Sequence, residues 1–258
     1  MLIDSHCHLD YFTEAEIEDI VARARAAGVG RMVTIGTRVH QAAAVKALTE
    51  RFPDVWGTVG VHPHNAGEPE GMPTVEAIAA LADHPRIIGI GECGLDYFYD
   101  KAPREAQQEG FRRHIRAARS TGLPVCIHAR QADEDILAIL REETAAGGPF
   151  AFLLHCFSSG AELARGALAM GGYLSFSGIL TFPKSPEIRA IAAEAPADRI
   201  LVETDSPYLA PVPLRGKRCE PGHVAHTAKV LAETRGLTGA EVEALTTDNF
   251  FRLFRKAA

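Results

Sequence analysis

RIIGIGECGLDYFYDKAPREAQQEGFRRHIRAARSTGLPVCIH, residues 86–128, holds one full repeat of the pattern on which the fold rests. An apolar run, RIIGIGE (86–92), is followed by a segment of helical periodicity, Pro103–Gly122, and then by a second apolar run, LPVCIH (123–128). Pro suits the first turn of a helix and Gly the residue just past its end, so the two predict the helix limits. The same alternation extends in both directions. Upstream lie MLIDSHCH (1–8), RMVTIGT (31–37) and VWGTVGVH (55–62), with a helix predicted over Glu14–Gly28. Downstream lie FAFLLH (150–155), GYLSFSG (172–178) and RILVETD (199–205). Strands that alternate with helices in this way predict an α/β fold, a (β/α)8 TIM barrel. A doubly wound open sheet is the rival, but eight regular strand–helix units favour closure. Thr238–Phe254 reads as an extra C-terminal helix. With no linker-like stretch, low-complexity tract or repeat, residues 1–258 are expected to form a single domain.

The chain has 258 residues, of which 33 are acidic and 27 basic, a net charge of −6, and 47% are hydrophobic. That composition excludes a disordered chain. A chain of this length should bury roughly 70–75% of its unfolded surface. No apolar run approaches the ~18 residues a spanning helix needs, so no membrane partner is expected. The opening MLIDSHCHLD lacks the basic start and apolar run of a signal peptide, which predicts a cytoplasmic location. The five cysteines are scattered with no CxxC pair and read as reduced thiols. The acidic balance argues against a bulk electrostatic nucleic-acid binder, though not against an enzyme with a local positive site.

Polar residues gather where strands end. His6 and His8 lie two apart on the first strand, so alternation turns both imidazoles to one face and Cys7 to the other. Two imidazoles at the mouth of a barrel suit a borderline divalent ion such as Zn²⁺. Alone, an HxH pair is a weak signal, better read as two buried histidines satisfied by their neighbours. Glu92, His128, His155 and Asp205 end further strands, and such groups are costly there unless they meet a cation or line a mouth. Together the six side chains supply enough ligands for two adjacent cations that share a carboxylate, an arrangement used for in-line displacement at phosphorus.

At these residues the chain resembles the TatD-type metal-dependent deoxyribonucleases, within the wider amidohydrolase-like barrels. The matching stretches are DSHCHLD (4–10), GVHPH (60–64), IGECGLDY (90–97), APRE (102–105), IHAR (127–130), LHCFS (154–158), LSFSGILTFPKS (174–185) and ETDSPYLAP (203–211). They cover nearly the whole chain. The resemblance implies a (β/α)8 hydrolase with a two- or three-metal site (Zn, Mg or Mn) acting on phosphodiesters, typically in DNA. It implies that His6, His8, Glu92 and Asp205 hold one metal and Glu92, His128 and His155 the second, with Glu92 bridging. His62 and Glu203 match positions that contact substrate phosphate or a further cation. The chain departs from the family at Ala129 (usually Ser), Ser159 (usually Gly) and Cys219 (usually Asn). Cys219, in the loop after strand eight, bears on substrate contact and not on metal binding.

The ligand set implies a hydroxide held between two cations as nucleophile, with Asp205 as ligand and general base. Glu203 shares parity with Asp205 on strand eight, which places both inside, ~6–7 Å apart, with Asp205 nearer the mouth. Asp96 is expected either to orient a ligand or to anchor its loop. Arg215, Lys217 and Arg218 follow Asp205 at the rim, where contact with phosphates competes with a plain surface loop. Arg104, Arg112, Arg113, Arg116 and Arg119 share one helix and read as a solvated face. His64 follows a proline and reads as surface. Cys7, Cys93 and Cys156 are expected to point outward against helices, and Cys126 to lie deeper in the core. The expected function is a divalent-metal-dependent deoxyribonuclease of 3′–5′ exonuclease type. The alternatives are hydrolysis of a C–N or ester bond, as by an aminoacyl-tRNA deacylase, and a barrel that binds metal or nucleic acid without turnover. No lysine available for carbamylation ends a strand, which counts against the amide branch.

Overall fold

The computed structural model describes residues 1–69 and 71–258. Eight parallel strands form one sheet in chain order: β1 (Leu2–Cys7), β2 (Val29–Ile35), β3 (Val55–Val59), β4 (Ile87–Asp96), β5 (Val125–Arg130), β6 (Phe152–Leu154), β7 (Tyr173–Phe176) and β8 (Ile200–Val202). A helix follows each strand: α1 (Glu14–Ala26), α2 (Ala42–Arg51), α3 (Val75–Leu81), α4 (Arg104–Thr121), α5 (Asp133–Gly147), α6 (Ala161–Ala169), α7 (Pro186–Glu194) and α8 (Val224–Arg235). The extra C-terminal helix is α9 (Gly239–Leu253). The chain segment after β8 returns to β1: the Asp205 N–H donates to the His6 carbonyl at 2.9 Å, and the His8 N–H to the Ser206 carbonyl at 2.8 Å. The expected (β/α)8 barrel is the fold observed. No helix among the described residues is long and apolar enough to cross a membrane.

Two apolar layers hold it together. The outer one packs strand residues such as Cys7, Ile90 and Cys93 against helix residues such as Ile17, Phe111 and Ile136. The inner one fills the N-terminal end of the barrel with Ile3, Val33, Ile88, Cys126, Leu153 and Leu201. This layer is completed by Phe250, Leu253 and Phe254 from the end of α9. The helix starts at Thr238 in a capping box with Glu241, and its buried Val242, Thr246, Phe250 and Leu253 repeat at helical spacing.

Simple alternation fails in two strands, and both failures serve the site. In β4, Ile90 and Cys93 are three apart yet both belong to the outer layer. Between them the register against β5 slips by one residue, a β-bulge that delivers Glu92 to the interior. Gly91 takes φ +125° there, and a Cβ on it would lie 2.5 Å from the Cys126 carbonyl oxygen. In β1 the register slips between Asp4 and Cys7, so Ser5, bonded to Ser175 at 3.0 Å, and His6 both face inward.

Element limits differ from the sequence reading, most tellingly in β4, β8 and α4. β4 runs on to Asp96, so Glu92 lies inside it and not at its end. β8 stops at Val202 because Thr204 gives its N–H and hydroxyl to the buried Asp4 carboxylate at 2.8 and 2.6 Å, not to a neighbouring strand. Pro103 is the N-cap of α4, one residue outside the helix, while Gly122 closes it at φ +71°.

The α9 seal gives a stability prediction. Phe250 is fully buried, so Phe250→Ala should lower the free energy of unfolding by about 3–5 kcal/mol in urea denaturation. A loss under ~1 kcal/mol would show that the seal collapses readily and that α9 is peripheral.

Candidate metal centre

Glu92 stands at the centre of the barrel mouth, its side chain almost fully buried. Its Oε1 lies 2.8 Å from His155 Nε2, 3.1 Å from His128 Nδ1 and 3.3 Å from His62 Nε2. Its Oε2 faces the other way, 3.5 Å from His6 Nε2 and 3.8 Å from His8 Nε2. Asp205 Oδ1 closes that second group at 3.7 Å from His6 and 3.4 Å from His8. The structure therefore brings together His6, His8, Glu92, His128, His155 and Asp205. The parity argument for Asp205 does not hold, because the residue lies past β8 in the left-handed region at φ +60°. Asp is among the residues that enter this region most readily, and the turn lets the carboxylate reach the mouth.

The electrostatics are those of a site that wants positive charge. Burial should raise the Glu92 carboxyl, yet the flanking His155 and His62 and the bonds from His128 and His155 hold it well below the usual carboxylate range. Asp205 is lowered in the same way against burial, by its bond to His8 and by His6 and His155. Burial pushes His155 down, but Glu92 and Glu203 outweigh it and raise the imidazole well above its ordinary value. His6 goes the other way, lowered by burial and by His155, whose ring stacks on it at 3.8 Å. Both ring nitrogens of His6, and His8 Nδ1, are buried without a hydrogen-bond partner among the described residues. His6 Nε2, unpartnered, and His8 Nε2 face two ionised carboxylates, a donor set that fits a divalent cation.

Supporting residues fix which nitrogen each histidine offers. Asp96 Oδ2 takes His128 Nε2 at 3.0 Å and His64 Nε2 at 2.8 Å, which turns His128 Nδ1 toward Glu92. Its Oδ1 accepts the Phe98 and Tyr99 N–H groups at 3.0 and 2.9 Å. Asp96 thus orients a candidate ligand and anchors its loop at once. Glu203 Oε1 holds His155 Nδ1 at 3.2 Å and the Cys156 N–H at 2.8 Å. A carboxylate behind the far nitrogen of a histidine is how metal-ligating imidazoles are commonly fixed. His62 differs. Its Nδ1 accepts the His64 N–H at 3.1 Å, and burial lowers its pKa to about 4, so the ring is neutral with its proton on Nε2. That nitrogen, 3.3 Å from Glu92 Oε1, can donate to a phosphate oxygen, and with Glu92 and His128 it also forms a group that could hold a cation.

The centre opens into a cavity of about 1910 Å³, well above the ~300–1,000 Å³ of ordinary small-ligand pockets. Several sequence expectations are corrected here. Glu203 is fully buried behind His155 and off the cavity wall, and with His6 and His155 it forms a group that could hold a further cation. Arg215 stacks on Phe182 at 3.7 Å, and it and Lys217 are exposed outside the cavity. Arg218 is committed to Glu16, the Tyr11 carbonyl and the Phe12 ring. Cys219 is fully buried and touches no part of the cavity, so its departure from the family pattern does not reach substrate. Cys156 is half-buried on the cavity wall at φ +44°, not turned outward like Cys7 and Cys93. His64 is half-buried on the same wall.

The basic residues of the wall are Arg38, Lys101, Arg104, Arg130 and Lys184. The sequence reading missed them. Arg104 was expected on a solvated helix face, but it sits at the start of α4 and lies over the Tyr97 ring at 4.1 Å. Arg112, Arg113 and Arg116 do pair along the outer surface, with Glu142, Glu109 and Glu143. The usable signal was position: Lys101, Arg104 and Arg130 all lie just beyond the C-terminal end of a strand or at its last residue.

The raised His155 can be read directly. In protein stripped of metal, an NMR titration should find this imidazole still protonated above pH 6.5, because two carboxylates favour its charged form. Glu203→Gln should move the midpoint down. A midpoint below 6.5 in the unaltered protein would contradict the arrangement.

A family profile described as TatD related DNase matches residues 3–255. The uncharacterized metal-dependent hydrolase YcfH of Escherichia coli K12 is 41% identical over 98% of this chain and 95% of its own. A protein of Cronobacter sakazakii named 3′-5′ ssDNA/RNA exonuclease TatD is 37% identical over 93% and 92%. The crystal structure of YJJV, a TatD homologue from E. coli K12, superposes with a TM-score of 0.89 at 26% identity over 98% of both chains. Fold, site and sequence agree: the chain belongs to the family of TatD-related DNases.

Proposed function

We propose that this TatD-family metal-dependent hydrolase cleaves phosphodiester bonds in nucleic acid, as a deoxyribonuclease that works on a single strand in the 3′–5′ direction. The observation that carries the reading is Glu92, whose two oxygens face two separate histidine groups. His6, His8, Glu92 and Asp205 would hold one divalent ion, and Glu92, His128 and His155 the other. When bound, the ions would polarise a phosphoryl oxygen and acidify water.

The chain's own residues supply the rest. Of the carboxylates at the centre, the Asp205 side chain is 15% exposed against 4% for Glu92 and 0% for Glu203. Asp205 alone can take a proton from an attacking water and pass it to solvent, so it is the general base. His62 Nε2–H donates to a non-bridging phosphate oxygen. Arg38, Lys101, Arg104, Arg130 and Lys184 are interspersed on the wall with carboxylates, so the local positive charge that lets a chain of net charge −6 accept a polyanion would come chiefly from the two divalent ions. The name of the Cronobacter relative points to the same polymer and direction.

Asp205→Asn keeps the shape but loses the base and should cut turnover on single-stranded DNA by about 10²–10⁴ with an unchanged Tm. Near-normal turnover would overturn the assignment. Chelator should abolish cleavage and added divalent ion restore it. A panel of single- and double-stranded DNA, RNA and a charged tRNA checks the substrate, and the reading falls if only the charged tRNA is hydrolysed.

A further inference from the structure

Six large apolar side chains stand exposed among the described residues, and three of them, Phe98, Tyr99 and Tyr208, line the one cavity that holds the metal centre. Phe98 and Tyr99 are 49% and 50% exposed. Aromatic rings left in water at the mouth of a site have no use in the core and mark a surface made to be covered.

These two rings are also held still. Their backbone N–H groups are both bonded to Asp96 Oδ1, and the loop is clamped again at Gln107, whose amide takes the Asp96 N–H and donates to the Ala102 carbonyl at 2.8 and 2.9 Å. The other Asp96 oxygen holds His128. One carboxylate therefore fixes the backbone that carries the rings relative to the candidate metal ligand. The Arg130 guanidinium lies over both, 4.4 Å from the Phe98 ring centre and 4.8 Å from that of Tyr99, and Lys101 is 5.6 Å from Tyr99. The two half-exposed rings stand edge to face, 4.9 Å apart at 83°, so a base can stack on one while the other flanks it and the cations meet the backbone, the way proteins grip unpaired nucleic acid.

The geometry points to Phe98 and Tyr99, backed by Arg130, as a stacking platform for an unpaired nucleobase next to the scissile phosphate. The inference rests on the nucleic-acid reading above and deepens it. It explains preference for a single strand without any base-edge contact, because a paired base keeps its faces covered by its neighbours. It also predicts sequence tolerance, since every base offers a ring face.

The test places 2-aminopurine, whose fluorescence falls on stacking, in turn at each position flanking the cleaved bond of a short single-stranded DNA. At one position binding should quench it, and the quench should be lost in Phe98→Ala/Tyr99→Ala but kept in the conservative Phe98→Tyr/Tyr99→Phe. An abasic residue at that position should cost the unaltered enzyme about tenfold or more in kcat/KM, and that ratio should fall to within about twofold of one in the alanine variant. A quench or an abasic penalty that persists in the alanine variant would overturn the platform alone. If the unaltered enzyme neither binds nor cleaves any oligonucleotide, the nuclease reading falls and the platform with it.

Discussion

A single buried carboxylate, Glu92, touches five imidazoles, and the rest of the mouth is arranged around that fact. An ionised carboxylate out of water is costly unless charge is brought to it. The histidines come from or just beyond the ends of four strands, β1, β3, β5 and β6, so only barrel closure can assemble them. Closure in turn leaves an N-terminal opening, which Phe250 and Phe254 fill. The site at one end and the apolar seal at the other are two demands of the same closed sheet.

Precision at the centre comes from departures from regular structure. Bulges in β1 and β4 turn His6 and Glu92 inward where plain alternation would not settle their direction. Gly91 has the positive φ and close backbone contact that a side chain would not permit. Asp205 and Cys156 both take left-handed backbone just beyond short strands. Behind them, Asp96 and Glu203 choose the nitrogen that His128 and His155 present. The regular barrel gives the address, and the irregular residues give the aim.

The barrel was legible in the sequence because its signal is periodic: apolar runs and helical segments recur, and Thr238–Phe254 bounded α9 closely. The histidines, Glu92 and Asp205 were legible because polar groups at strand ends are anomalous. Parity counted along 199–205 put Glu203 inside, where it meets His155, but it failed for Asp205, because β8 ends at Val202 and Asp205 lies in the turn beyond. Asp96 stayed undecided because one carboxylate does two jobs, which only the fold displays. Phe98, Tyr99, Lys101 and Arg130 went unnoticed because single aromatic and basic residues in a loop carry no pattern until the loop is placed over the mouth. Arg215 and Lys217 show the converse, since nearness in sequence to Asp205 does not place them on the cavity wall.

The account stands or falls on two ions sharing Glu92. Anomalous diffraction from crystals grown with Mn²⁺ should show two peaks, one on each side of that carboxylate. One should lie within reach of His6, His8 and Asp205, the other within reach of His128 and His155. A single peak, or peaks held by other residues, would contradict it.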